Sequence, residues 1–283
     1  MALMPVTDGT LYYEEHGAGP PLMLVAGLGG VGAFWKPQLP ALAPHFKLVL
    51  HDHRGTGKSS RDLITYSVAQ MARDVLDLAD GLGIEKFHYM GHSTGAVIGA
   101  ELALHHPDRL LSAVLSSGWS VLDPHFLRCF ETRKALLTEV GPAAYVRGQA
   151  LFLYPPWWNA THDAEFTALA AAQIEDFPPP EIVLSRIAAI TSFSPGAAVS
   201  AIRTPCLIVC AADDHLTPAH SSAKSHELIP GSELAILPAG GHFNTVTRPE
   251  EFNETVLGWL LAQRDGTPWK RPPFAAAEAP FRV

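Results

Sequence analysis

The chain has 283 residues, 47% hydrophobic and 17% charged, with a formal net charge of −8. That composition excludes a disordered chain, which needs low hydrophobicity and high net charge, and the length allows a substantial core. No Lys/Arg run exceeds two residues and no stretch of 18 apolar residues occurs, which argues against a nucleic-acid-binding stripe and a membrane-spanning helix.

Residues 22–26 are a short apolar run that stops at Gly27-Leu28-Gly29-Gly30, a buried strand entering a glycine loop. Residues 46–50 predict a second strand, ending at Asp52-His53-Arg54-Gly55-Thr56-Gly57. A helix is predicted over 67–82, because Val68, Met71, Val75, Leu78 and Leu82 recur at three- and four-residue spacing. Residues 87–90 predict a strand that runs into Gly91-His92-Ser93-Thr94-Gly95 and a helix to about His106. Residues 110–116 predict the next strand. Strands alternating with helices indicate an α/β fold with a mostly parallel sheet covered on both faces.

After Gly118 the alternation stops. Residues 119–203 hold helical patterns and aromatic-proline punctuation, with no convincing strand. The alternation resumes with strands at 206–210 and 234–237 and a helix over 249–261. The middle block is therefore an excursion from one α/β core made of 1–118 and 204–264. Residues 265–283 are a Pro-rich, irregular C-terminal tail.

Gly91-His92-Ser93-Thr94-Gly95 matches G-x-S-x-G between a strand and a helix, the context that motif requires. A reversal this sharp strains its central residue and needs small neighbours. It would put Ser93 Oγ at the carboxyl edge of the sheet, with the Thr94 N–H at the helix start aimed where an oxyanion forms. The alternative is a glycine turn whose Ser merely caps the helix. A serine needs a base, and the base an orienting acid. Asp213-Asp214 follows the strand at 206–210, and His242, in Gly240-Gly241-His242, follows the strand at 234–237. Both leave carboxyl ends of strands, where ligands bind in open α/β sheets.

These motifs together resemble an α/β-hydrolase-fold serine hydrolase with a helical cap inserted after the sixth strand, over roughly residues 10–264. The resemblance implies Ser93, Asp214 and His242 as catalytic triad. Asp214 is preferred to Asp213 because the family's acid stands four residues before a Pro, as in Asp214-His215-Leu216-Thr217-Pro218. It also implies the backbone N–H groups of Leu28 and Thr94 as oxyanion hole. Gly27–Gly30, Trp35-Lys36-Pro37-Gln38-Leu39, Arg54-Gly55-Thr56-Gly57 and Leu151-Phe152-Leu153-Tyr154-Pro155 are similar to the aminoacrylate/carbamate hydrolases of bacterial pyrimidine (Rut) catabolism. The tail after Asp265 looks foreign to that group.

Other signals are weaker. His51-Asp52-His53 could suggest a metal pair, but the Arg54-Gly55 turn explains it, and no metal or cofactor is expected. Tyr154, Trp157 and Trp158, with Trp119 at the start of the block, either pack the cap or line the substrate cavity, since pockets are largely apolar. Arg186 interrupts an apolar helical run. It reads as a snorkelling surface residue or as a substrate-carboxylate anchor with Asp176, Glu175 or water as its resting partner. Asp74 and Glu101 read as solvated or capping charges.

The function expected is a serine hydrolase cleaving a small amide, carbamate or aminoacrylate-type substrate through an acyl-enzyme. A carboxylesterase or enol-lactonase would use the same triad. A dehalogenase would need Asp at the elbow, and a non-catalytic ligand receptor could keep the pocket without turnover. The expected partner is a small molecule, with no nucleic acid or membrane; a homodimer stays open. Residues 1–5 lack the features of a signal peptide. Cys206 and Cys210, in one strand, would sit ~13 Å apart at ~3.3 Å per residue, too far for a disulfide. Reduced thiols in a cytoplasmic protein are expected.

Overall fold

A computed structural model of the protein describes residues 2–274. The elements run β1 (Ala2–Val6), β2 (Gly9–His16), β3 (Pro21–Val25), α1 (Leu39–Leu42), β4 (Lys47–His51), α2 (Val68–Gly81), β5 (Phe87–His92), α3 (Thr94–His105) and β6 (Leu110–Ser116). A helical segment follows: α4 (Pro124–Ala135), α5 (Pro142–Leu153), α6 (Pro156–Thr161), α7 (Asp163–Glu175) and α8 (Pro180–Thr191). The chain then returns through β7 (Cys206–Ala211), α9 (Ala219–Leu228), β8 (Glu233–Leu237), α10 (Asn244–Thr247) and α11 (Pro249–Asp265).

The strands form one sheet in the order β1-β2-β4-β3-β5-β6-β7-β8. β3 to β8 are parallel to their neighbours, while β2 pairs antiparallel with β1 and β4. The parallel strands are apolar on both faces because helices cover both. Met23 and Val25 pack with α2 and α3, whereas Leu22 and Leu24 pack on the other side with Trp35, Phe252, Val256 and Trp259. The predicted helix over 67–82 forms as α2, with Ser67 Oγ accepting from Gln70 N at 3.0 Å as its N-cap. This satisfies one of the four donors left free at a helix start.

Three elements depart from the pattern-based reading. The β1–β2 hairpin gives a weak signal: β1 (ALMPV) is short and interrupted by Pro5, with alternating half-buried and exposed positions, and β2 carries Tyr-Tyr-Glu-Glu with only Leu11 and Tyr12 buried. α9 buries Ser221, Ser222 and Ser225 in place of apolar residues, and Ser225 Oγ bonds Ser120 Oγ at 2.9 Å. α11 continues four residues past the predicted end, to Asp265, and stops at Gly266 in the left-handed region. Part of the predicted tail, residues 275–283, lies outside the described residues. Within 267–274 no helix or strand forms, and Trp269 and Phe274 pack against the core.

Asp74 corrects the expectation of a solvated charge. It is buried on α2 and ion-paired with Arg54, which also donates to the carbonyls of Thr7 and Asp8. The pair ties the loop after β4 to α2 and the β1–β2 turn.

Helices α4 to α8 pack over the carboxyl ends of the strands. Leu153 O accepts from Phe243 N at 2.9 Å, Trp119 Nε1 donates to Phe193 O at 3.0 Å, and Arg186 Nη1 donates to Arg54 O at 2.9 Å. Phe243, Trp119 and Arg54 follow β8, β6 and β4 respectively. The segment therefore roofs the edge at which β5 leads into Ser93.

The core also holds buried histidines. On β5, His88 Nδ1 sits 2.8 Å from Ser112 Oγ, and burial pushes the imidazole down to about 4, with a smaller push from Arg264. Burial, then Arg186, likewise lowers His51 to about 4. The unfolded chain takes up these protons near pH ~6.5, while the folded chain resists them until about 4. Their stabilising contribution is thus complete above pH ~6.5 and is lost as pH falls through that window. Thermal melts should show Tm dropping from pH 7 to 4.5, and His88→Gln should flatten that slope. An unchanged slope in the variant would assign the acid sensitivity to other groups.

Candidate active site

The nucleophile elbow is built by sterics. Ser93 has φ 55° and ψ −113°, a left-handed backbone that a side chain rarely adopts. The reversal brings α3 back against β3 and β5. A Cβ at Gly95 would collide with the Val25 carbonyl oxygen, and one at Gly91 with the Gly95 carbonyl. Tyr89 Oη donates to Gly95 O at 2.6 Å, and Ser93 N donates to Ser116 O at 2.7 Å. The turn is thus bonded on both sides and cannot relax without breaking the sheet edge.

Thr94 opens α3, so its N–H has no acceptor within the helix. Across from it, Gly27 to Gly30 form a turn closed by Gly30 N to Gly27 O at 3.0 Å. The Gly27 backbone passes close to Ser93: a Cβ there would lie 3.3 Å from Ser93 Cβ. Leu28 follows directly, which puts both candidate oxyanion donors on loops flanking Ser93.

His242 Nδ1 lies 2.9 Å from Asp214 Oδ2 and 3.2 Å from Oδ1. Both residues are buried. Asp214 Oδ1 also accepts from Leu216 N and Thr217 N, each at 2.9 Å, and Thr217 Oγ1 stands 3.0 Å from Oδ2. A carboxylate receiving these donors is held in one orientation. With Nδ1–H assigned to Asp214 by this network, His242 Nε2 carries the lone pair. Asp213 does a different job. It is half-buried, and its Oδ1 accepts from Gly241 N at 2.8 Å, anchoring the loop that carries His242.

Sequence reasoning passed over several residues here. His92 is fully buried, its ring 4.9 Å from that of His242, with Nδ1 3.0 Å from Ser116 Oγ. Burial, then His242, holds His92 well below its usual range, so it sits beside His242 as a neutral ring. Phe34 and Phe243 lie at 5.0 Å and 5.8 Å from His92, forming an apolar wall. Thr217 had a signal, as the Thr of the acid loop. Phe34 had none, since its role depends on a loop after β3 folding toward β8.

The cap aromatics separate into different places. Tyr154 stacks on Trp158 at 4.3 Å and meets Phe243 edge-on at 5.2 Å, so these two approach the His242 wall. Burial pushes the Tyr154 hydroxyl up to about 12, leaving it a neutral donor. Trp157 does not join them and instead lies under the Arg248 guanidinium at 5.1 Å. Adjacent helical residues point about 100° apart, so Trp157 and Trp158 cannot share a face. Trp119 packs on Phe126 at 4.4 Å and borders a small void with Ala96 and Ala100 of α3. Trp157 thus stands apart from the Tyr154–Trp158 pair, and Trp119 packs against Phe126 of α4.

Arg186 corrects a second expectation. It is neither a surface residue nor paired with Asp176 or Glu175: it is buried, and Asp176 pairs with Arg61. His51 and His53 stack at 5.1 Å, and His53 Nδ1 faces Arg186 Nη2 at 3.2 Å. Among the described residues no group of three or more His, Cys, Asp or Glu could hold a metal ion. A shallow surface groove bordered by Pro21, Lys47 and Glu85 lies at the amino ends of the strands, opposite Ser93.

Comparison with known proteins agrees with the geometry. The family described as alpha/beta hydrolase fold matches residues 20–249. The chain belongs to that family and is a hydrolase. Among its relatives is a protein of Caulobacter sp. (strain K31) named "Putative carbamate hydrolase RutD", 46% identical over 262 residues, covering 90% of this chain and 97% of that one. A protein of the same name from Azorhizobium caulinodans is 42% identical over 252 residues, covering 89% and 95%. A hydrolase from Pseudomonas aeruginosa PA01 superposes with a TM-score of 0.83 at 29% identity, over 92% of this chain and 97% of that one. The enol-lactonase from Burkholderia xenovorans LB400 shares the fold, with a TM-score of 0.84 at 23% identity over 92% and 100%.

Proposed function

We propose that the protein hydrolyses a small amide, carbamate or aminoacrylate-type substrate through an acyl-enzyme on Ser93. The observations that support this reading are the buried Asp214–His242 pair, the strained backbone of Ser93, and the ring of its chain neighbour His92 at 4.9 Å from that of His242. His242 Nε2 takes the Ser93 proton as Oγ attacks the acyl carbon. The Leu28 and Thr94 N–H groups receive the oxyanion, and Asp214 stabilises the imidazolium. His242 then protonates the leaving nitrogen. Water, deprotonated by His242, attacks the acyl-enzyme and returns Ser93 to its starting state.

The similarity to proteins named carbamate hydrolase supports the nitrogen-leaving class. The Tyr154–Trp158 stack beside Phe243 supports a small, mostly apolar acyl site. The partner is a small molecule, not nucleic acid or membrane. Among the described residues no helix is long and apolar enough to cross a membrane. All three cysteines are free and buried, which accords with a reducing, cytoplasmic setting.

The test is kinetic. p-Nitrophenyl acetate should give a burst of one equivalent per protein chain. In a panel of small carbamates, amides, esters and lactones of similar size, kcat/KM should be highest on a carbamate or amide. A clear preference for an ester or lactone would replace the substrate class while leaving the triad in place. No burst and no turnover on any member would sink the enzymatic reading itself.

A further inference from the structure

We propose that Arg186 is a positioning residue of the oxyanion hole: from the buried face of α8 its guanidinium bridges the Leu28 and Arg54 carbonyls and holds the Gly27–Gly30 turn in shape. The inference deepens the hydrolase reading and rests on it.

A guanidinium has five N–H donors in a rigid fork. Nη1 points to Arg54 O at 2.9 Å and Met71 Sδ at 3.8 Å, and Nη2 to Leu28 O at 3.1 Å and His53 Nδ1 at 3.2 Å. Only Nε lacks a partner, and it is buried. Four of five donors are thus spent on the protein, which leaves no bidentate face for a substrate carboxylate. Among the described residues no carboxylate lies within 4.0 Å of the group. A buried cation that touches no anion is costly, so a simple packing role is poorly served by arginine.

The contacts explain the residue better. Leu28 carries the candidate oxyanion N–H at one end and the carbonyl held by Arg186 at the other. Leu28 is half-buried in a turn whose neighbours Gly27 and Gly30 have no side chains to brace it. The bracing comes from outside: His53 N and Thr56 Oγ1 both donate to Gly30 O, at 2.7 Å and 3.1 Å, and Arg186 Nη2 donates to Leu28 O. Even a Cβ at Gly30 would come within 3.1 Å of Nη2. The fork itself has a firm seat. One turn earlier Ile182 packs against Gly55; separately, Ser185 Oγ bonds Ile64 O at 3.1 Å and Tyr66 N at 3.0 Å, which fastens α8 to the segment before α2 without touching the fork. Its positive charge, in direct contact with no carboxylate, also favours negative charge developing at the loop it holds.

The experiment compares Arg186→Met, Arg186→Lys and Ser185→Ala with the wild type, all on the full chain. p-Nitrophenyl acetate is the substrate because it carries no anion, and phenylboronic acid is the probe of tetrahedral-anion binding. In Arg186→Met the burst-phase acylation rate should fall on the order of 10- to 100-fold, and phenylboronic acid affinity should fall by about the same factor. The substrate dissociation constant fitted from the burst phase should change by less than about threefold, because the loss is confined to the transition state. Arg186→Lys, which keeps the charge and one reach, should recover part of both. Ser185→Ala, which loosens the seat of α8 but not the fork, should stay within about threefold of wild type. A wild-type acylation rate in Arg186→Met overturns the inference, as does an equal loss in Ser185→Ala. Should Arg186→Met fail to fold, unchanged boronate affinity in Arg186→Lys overturns it instead. Fluorophosphonate labelling separates this from the underlying reading: a wild type not labelled at Ser93 refutes the nucleophile, whereas a labelled wild type with insensitive Arg186 variants refutes only the positioning role.

Discussion

Ser93→Ala is expected to remove acyl-enzyme formation and lower kcat on the order of 10⁶-fold, the scale seen when the serine of a comparable triad is deleted. The fold should survive. Alanine keeps the Cβ already accommodated at φ 55°, and the bonds that hold the elbow, Ser93 N to Ser116 O and Tyr89 Oη to Gly95 O, do not use the hydroxyl. A Tm close to that of the wild type, with no burst, is the signature. Mass mapping after fluorophosphonate treatment should place a single adduct on Ser93. An adduct on another residue, with Ser93 untouched, would falsify the assignment.

The second large effect is expected at the acid loop. Asp214→Asn should reduce kcat by ~10⁴-fold, as in a related triad whose orienting acid became an amide. The cause lies in the donors around it. Leu216 N and Thr217 N both point at Oδ1. An amide would offer its oxygen to them and turn its NH₂ toward His242 Nδ1. That selects the tautomer with the proton on Nε2, which cannot accept from Ser93. Asp213→Asn is a different case, because Asp213 Oδ1 accepts from Gly241 N and an amide oxygen can still accept that bond. Its loss should stay within about tenfold, the worth of one weakened neutral hydrogen bond. Parallel kcat measurements on the two variants decide the point: a larger loss in Asp213→Asn would move the acid by one residue.

The contrast between these neighbours illustrates what was legible beforehand. The elbow, the acid loop and the histidine loop are local signals. Each lies just after a strand whose apolar run announces it, and glycines mark where the backbone must approach itself. The strain at Ser93 is set by residues 91–95 and the ends of β5 and α3. The choice of Asp214 over Asp213, by contrast, came from a resemblance. Asp214 lies 28 residues from His242, and only the folded chain brings Nδ1 to 2.9 Å.

By itself, then, the sequence determined the α/β order, the buried two-faced sheet, and the strand ends after which Ser93, Asp213-Asp214 and His242 fall. These follow from apolar periodicity and from turn residues, which act over a few positions. Tertiary structure alone decided the rest. It made Asp74 a buried partner of Arg54, filled the inner face of α9 with serines, set Trp157 under the Arg248 guanidinium, and turned Arg186 onto Leu28, 158 residues distant. The physical reason is common to all four. A polar or amphipathic side chain looks solvated in a sequence, because what makes its burial favourable is a hydrogen-bond or ring partner on another element. That partner comes within reach only when the chain has folded.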